Sequence, residues 1–177
     1  HGVELHDLTV AVAVTRWSVL DTLEQIWAQW TAPGGAFEIQ VEEIRGTPQR
    51  VYAKALPDLR ALWDLAALKG DRDFLVYEDE RFSFAEVDRQ VRSVAASLVS
   101  LGLQPGDRVA LAMRNYPEWV IAYWATVSIG AVAVGLNAWW TGPELEYGLI
   151  DSASAVLVAD GERLARVAPH LAAVTAQ

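Results

Sequence analysis

The sequence predicts an α/β fold, a mostly parallel β-sheet flanked by helices and preceded by an N-terminal helix and a small β-hairpin. Three observations predict it. Apolar runs at 74–77, 108–113, 131–136 and 155–159 alternate with helical patterns, an order that calls for parallel strands joined by crossover helices. Two helix starts carry the Ser/Thr-x-x-Glu signature of a capping box, at Ser83-Glu86 and Thr141-Glu144. Finally, 177 residues that are 53% hydrophobic and 21% charged can bury a real core and are too apolar for a disordered segment.

The elements follow in chain order. Trp17, Leu20, Leu23, Trp27 and Trp30 recur at three- and four-residue steps, predicting an amphipathic helix that Pro33-Gly34-Gly35 ends. Burial of that stripe against its own domain is expected. Residues 1–35 therefore read as an N-terminal amphipathic helix and linker, and 36–177 as the domain proper. Alternation at Phe37, Ile39 and Val41, then Val51 and Ala53, predicts a hairpin around Gly46-Thr47-Pro48. Pro57-Asp58 opens a helix over 59–69, which Gly70 closes. The Ser83 capping box starts a helix whose stripe is Phe84, Val87, Val91, Val94, Leu98 and Leu101, with Gly102 at its C′ position. Asn115 is expected to cap a helix over 118–129, with Pro117 in its first turn. Helices over 144–151 and 162–173 complete the alternation.

Residues 119–143 contain no Asp, Glu, Lys or Arg, a length sufficient to cross a bilayer. Gly130, Gly135 and Asn137 punctuate the stretch and its second half is β-branched, so it reads as a buried helix and a central strand, with no transmembrane segment.

Charge and chemistry narrow the function by exclusion. The net charge is −9, with 16 acids and 8 bases through residue 88, and no basic cluster supports nucleic-acid binding. There is no Cys, hence no disulfide framework, thiolate nucleophile or Cys-ligated metal, which fits a reducing, cytoplasmic compartment. His1, His6 and His170 lack metal-ligand spacing and are expected at the solvent, and neither Lys54 nor Lys69 stands at a strand-to-helix junction. The Gly-rich segment 102–107 follows a helix and precedes a strand, the reverse of a phosphate-binding loop. The residues alone assign no catalytic, cofactor-binding or metal site.

Four segments taken together carry a resemblance. Residues 74–86 (FLVYEDERFSFAE), 101–110 (LGLQPGDRVA), 113–119 (MRNYPEW) and 130–137 (GAVAVGLN) follow in order and spacing the N-terminal portion of the adenylate-forming, AMP-binding enzymes. From about Phe37 onward the chain resembles most the AMP-forming fatty acyl-CoA synthetases. The resemblance implies a ligase that activates a fatty or other carboxylic acid with ATP and Mg²⁺ to an acyl-adenylate and transfers the acyl group to CoA. It also implies that the nucleotide-binding and catalytic residues follow Gln177, so that the 177 residues alone are inactive and need the remaining subdomains. An acyl-AMP ligase without CoA transfer, or a non-catalytic module of the same fold, are the alternatives. Trp139 and Trp140 are the substrate-facing candidates, with packing as the other reading of both. The family commonly places Pro where this chain has Gly135, which loosens the approach to them. An apolar face toward the remainder is expected, and a homodimer through Trp119, Trp124, Trp139 or Trp140 is one way to cover it.

Overall fold

The computed structural model describes residues 19–175, so Trp17, His1 and His6 lie outside the described residues. The chain divides between Leu56 and Pro57 into two compact units.

In the first unit, helix α1 runs over 19–31 and the hairpin follows as β1 (Ile39–Ile44) and β2 (Thr47–Tyr52). Ile44 faces Thr47 across a two-residue turn in which Arg45 and Gly46 both adopt positive φ, 51° and 77°. That is the primed geometry that matches the twist of the strands. Phe37 joins the pieces, its ring 5.7 Å from Trp30 and 6.1 Å from Tyr52. The expected burial of the α1 stripe is not found: Leu20, Leu23, Trp27 and Trp30 stand about half exposed. A lone two-stranded hairpin presents too little surface to cover a helix face.

The second unit holds the parallel sheet. Its helices and strands are α2 (Leu59–Ala67), β3 (Asp73–Tyr77), β4 (Glu80–Ser83), α3 (Phe84–Ser100), β5 (Arg108–Ala112), α4 (Pro117–Ser128), β6 (Val132–Gly135), α5 (Gly142–Asp151), β7 (Val156–Ala159), α6 (Gly161–Val167) and α7 (Leu171–Thr175). Strands β5, β6 and β7 form a parallel sheet in the order β6-β5-β7. Arg108 aligns with Val132 on one side of β5, and Val109 with Val156 on the other.

Strand β5 sits at the centre because every residue from Val109 to Ala112 is apolar and fully buried. The alternation of a strand then sends Val109 and Leu111 to one face and Ala110 and Ala112 to the other. On the first face they meet Trp63 of α2, Val87, Val91 and Leu98 of α3, and Ile121, Ala122 and Ala125 of α4. On the second they meet Leu145 and Leu149 of α5 and Val167 of α6. Burying that much apolar surface at about 25 cal/mol per Å² is what drives both layers onto the sheet.

The second unit also departs from expectation in several places. The strand at 73–77 is not in the parallel sheet: it pairs antiparallel with β4 through the turn Glu78-Asp79. Strand β4 carries Glu80 and Arg81, and its turn lacks Gly or Asn, although Glu78 takes a positive φ of 49°, so no sequence signal marked the hairpin. The N-cap of α4 is Tyr116, not Asn115, and makes no side-chain cap bond. The expected helix 162–173 is broken into α6, a 3₁₀ turn at Ala168–His170 and α7, because Pro169 has no N–H to donate and its ring crowds the preceding turn. His170 is not free at the solvent: its Nδ1 lies 2.6 Å from Glu146 Oε2, and both side chains are partly buried.

Both Glu carboxylates of the capping boxes sit as predicted. Glu86 Oε2 accepts the Ser83 N–H at 2.8 Å and returns the favour of Ser83 Oγ, which accepts the Glu86 N–H at 3.2 Å. Glu144 Oε2 accepts both the N–H and the hydroxyl of Thr141, at 2.7 and 2.8 Å. The uncharged stretch is α4 followed by β6, but β6 is not the central strand expected: in the order β6-β5-β7 it pairs with β5 alone and Val132 is exposed, while β5, with a helical layer on each face, takes the centre. Among the described residues no helix is long and apolar enough to cross a membrane.

Candidate functional site

A crevice opens where the sheet topology forces one. Strand β5 leads through residues 113–116 to α4 on one face, while its neighbour β6 leads through 136–141 to α5 on the other face. Adjacent loops that depart to opposite faces leave a gap at the carboxyl ends of the strands, which is where open α/β sheets bind ligands. The gap measures about 420 Å³ and is lined by Arg114, Asn115 and Tyr116 of the first loop, Ala138 and Trp139 of the second, and Tyr77 and Glu78 of the β3–β4 turn. A second, apolar hollow of about 210 Å³ shares Tyr77, Asn115 and Tyr116 and continues along Leu75, Pro117 and Trp119.

Each lining group is positioned by local structure. The guanidinium of Arg114 lies over the Trp139 ring, 4.8 Å from its centroid, and makes no ion pair among the described residues. Its backbone N–H donates to Asp160 Oδ2 at 3.2 Å, tying the first loop to the start of α6. Trp139 is 69% exposed, and its backbone N–H donates to Asn137 Oδ1 at 2.9 Å. Tyr77 and Tyr116 meet edge to face at 5.9 Å. Burial first, and then the Glu78 carboxylate, push the Tyr77 phenol above its usual range, so it remains a neutral donor at physiological pH.

The four candidate tryptophans separate clearly. Trp139 faces the crevice. Trp140 turns the other way, half-buried against Leu136 and Gly148, where a Cβ on Gly148 would come within 2.7 Å of the indole Cζ3. Trp124 stacks on Trp63 at 5.0 Å and Trp119 on Tyr123 at 5.5 Å, and both are partly buried against the core. Gly135 does not loosen the loop: it ends β6 opposite Leu111, and the Leu136 N–H donates to the Leu111 carbonyl at 3.0 Å.

Arg114 and Tyr77 were not singled out from the sequence. Nothing in a lone Arg or Tyr distinguishes it, and only the convergence of three loops makes them neighbours. Among the described residues no cluster of three His, Asp or Glu offers a metal site. Lys69 lies over the Phe84 ring at 5.0 Å and Lys54 donates to the Gly35 carbonyl, so Arg114 is the one cation in the lining of the crevice. These residues do not make a site for Mg²⁺ and a triphosphate. The segment 102–107 is a helix-to-strand turn closed by Asp107 Oδ2, which accepts the Gln104 N–H at 2.7 Å.

Residues 62–177, well over half the chain, match the family described as AMP-binding enzyme. The chain belongs to that family. Crotonobetaine/carnitine–CoA ligase of Salmonella typhimurium is 34% identical over 111 residues, covering 59% of this chain and 22% of that protein. The corresponding ligase of Salmonella enteritidis is 36% identical over 107 residues, 57% of this chain and 21% of that one. The anthranilate CoA ligase AuaEII in complex with anthranoyl-AMP superposes with a TM-score of 0.64 at 27% identity, over 67% of this chain and 24% of that chain. The N-terminal subdomain of Klebsiella oxytoca NpsA in complex with 3-hydroxybenzoyl-AMSN gives 0.56 at 26% identity, over 59% of this chain and 27% of that one. The chain thus spans about a fifth of the length of the curated AMP-binding relatives it matches. Within the family fold, the β6-β5-β7 sheet and its two helical layers are the part this chain supplies.

Proposed function

We propose that the protein carrying this chain is an AMP-forming acid–thiol ligase. A carboxylate oxygen attacks the α-phosphate of ATP, giving an acyl-adenylate and releasing pyrophosphate, with Mg²⁺ offsetting phosphate charge. The CoA thiol, losing its proton, then attacks the acyl carbon and releases AMP. The observation that carries this reading is the match of residues 62–177 to the AMP-binding enzymes, together with relatives that are CoA ligases. The acids named for those relatives, crotonobetaine, carnitine and anthranilate, are small, which supports short and aromatic acids; a fatty acid rests on the sequence resemblance alone.

In this reading 36–177 is the N-terminal subdomain, in the cytoplasm, and its switch-point crevice borders the substrate site shared with the remaining subdomains. Trp139 faces substrate and Trp140 holds the loop. For the 177 residues taken without the remaining subdomains, self-association is proposed through Trp139, because it alone of the four candidate tryptophans is exposed; a strictly monomeric species in concentrated sedimentation runs counts against it.

The test is thioester formation by the complete protein with ATP, Mg²⁺, CoA and a panel of short, aromatic and long-chain acids. Thioester together with AMP and pyrophosphate is expected. Hydroxylamine-trapped acyl groups without thioester would make it an acyl-AMP ligase, and no AMP with any acid would make it a non-catalytic module.

A further inference from the structure

One ion pair behind the crevice touches both of its walls. Arg163 Nη1 and Asp160 Oδ2 are 3.1 Å apart. Asp160 Oδ2 accepts the Arg114 N–H at 3.2 Å on the β5–α4 loop, and Arg163 Nε donates to the Ala138 carbonyl at 2.7 Å on the β6–α5 loop. Arg166 Nη1 adds bonds to the carbonyls of Ala138 and Trp140, at 3.3 and 3.0 Å. The carbonyls so held flank Trp139. Two loops that depart to opposite faces are therefore joined at their roots by side chains of a single short helix.

We propose that Asp160 and Arg163 are positioning residues that set Arg114 against Trp139 across the crevice. Stability alone does not account for the pair. Arg163 is 1% exposed, and its Nη2 meets no acceptor among the described residues. A buried ion pair is often replaced by apolar side chains of like volume at no loss of stability, and an unmet buried donor adds a cost. What an apolar side chain does not do is hold two particular backbone groups at once. Burial pushes the Asp160 carboxyl up, but the N–H groups of Arg163 and Arg114 and the Arg163 guanidinium outweigh it and hold it below the ordinary range. The pair is thus charged at neutral pH and available as a clamp. That the clamped crevice borders substrate rests on the ligase reading; the clamp itself rests on the contacts above.

The chain labelled with 5-fluorotryptophan tests the clamp, with the Trp139 resonance assigned by its loss in Trp139→Phe. In Arg163→Met that resonance is expected to move to its position in Arg114→Met, where no guanidinium lies over the ring, and Arg163→Lys should restore it in part. The Trp63 and Trp124 resonances should stay in place. An unmoved Trp139 resonance beside unmoved Trp63 and Trp124 would overturn the proposal. Should Arg163→Met not fold, Asp160→Asn decides the same point, since it keeps the side-chain size and removes the charge that faces Arg163: a shifted Trp139 beside unmoved Trp63 and Trp124 supports the clamp and an unshifted one refutes it. In the complete enzyme, Arg163→Lys should raise KM for acid or CoA severalfold with kcat little changed. Unchanged kinetics would remove the clamp from the reaction, whereas a wild-type protein without turnover would sink the ligase reading and leave the resonance result standing.

Discussion

The guanidinium of Arg114 and the indole of Trp139 meet at 4.8 Å across the mouth of the crevice, one from the loop after β5 and the other from the loop after β6. They are 25 positions apart in sequence, and each belongs to a connection that leaves the sheet by a different face. A cation over an exposed indole contributes about 0.5 to 1 kcal/mol. Such a contact is weak enough to yield to a ligand.

Trp139 and Trp140 should therefore respond oppositely to truncation. Trp139→Ala is expected to change stability by no more than about 1 kcal/mol, since its ring is mostly in water. Trp140→Ala should cost about 2 to 4 kcal/mol, because it empties the space over Leu136 and Gly148. Denaturant melts of the two variants compare them directly, and equal losses would contradict the assignment of the two rings.

Three glycines of the second layer differ in what a methyl group would meet. At Gly142 an added Cβ lies 2.6 Å from the Arg166 carbonyl oxygen, and at Gly148 it lies 2.7 Å from the Trp140 ring. Gly142→Ala and Gly148→Ala should each cost about 1 to 3 kcal/mol through overpacking. Gly161, in the first turn of α6, has nothing within 4 Å, so Gly161→Ala should be neutral or stabilise by up to about 1 kcal/mol. Thermal melts reading the three in any other order would show that α5 sits differently on α6 and α7.

The capping boxes give a pH signature. Hydrogen bonds from the backbone N–H and then the hydroxyl of Ser83 hold the Glu86 carboxyl below its ordinary range, and Thr141 does the same for Glu144. A carboxyl depressed in the folded state contributes stability that is fully present above the unfolded value and is lost as pH falls through the folded one. Melting temperature should thus drop on the acid side of the ordinary Glu range. The double variant Glu86→Gln/Glu144→Gln keeps an acceptor at each cap but removes the charge, so its melting temperature should fall less steeply there. Parallel acid limbs in the two proteins would refute this. Ser83→Ala should cost about 1 kcal/mol at neutral pH.

Trp63 ties α2 to the sheet layer. It is 2% exposed, lies 5.5 Å from Phe74 and 5.0 Å from Trp124, and its Nε1 donates to Asp88 Oδ1 at 3.0 Å. Trp63→Ala should cost about 3 to 5 kcal/mol. Trp63→Phe keeps most of the packing and loses the donor, leaving Asp88 with Arg92, for a loss of about 1 to 2 kcal/mol. Urea midpoints that fail to separate the two variants would show that the indole N–H and its extra ring contribute nothing.

Local signals made much of the fold legible. The helix starts at Ser83 and Thr141 are written in residues three apart, and the C′ position of α3 is written in Gly102, which adopts a φ of 92°. The apolar run at 108–113 announced a strand, but the central place was expected for 131–136, and only the order β6-β5-β7 gives it to β5. The hairpin β3–β4 was not legible, because Glu80 and Arg81 look like loop residues until Leu75 and Phe82 are seen to align across the ladder. Pro169 carried a signal that the helical periodicity around it concealed.

By itself the sequence determined most of the segments that become helices and strands, β4 and the break at Pro169 excepted, and, through the order of four short motifs, the family they belong to. Those are properties of near neighbours in the chain: capping, periodicity and turn chemistry act over a few residues. Only the tertiary structure decided that the strand at 73–77 leaves the parallel sheet, that Trp139 faces out while Trp140 packs in, and that Arg114, Trp139, Asp160 and Arg163 form one assembly. These depend on which faces the crossover helices cover, a choice made by burying the two sides of β5 at once, and no stretch of local sequence contains it.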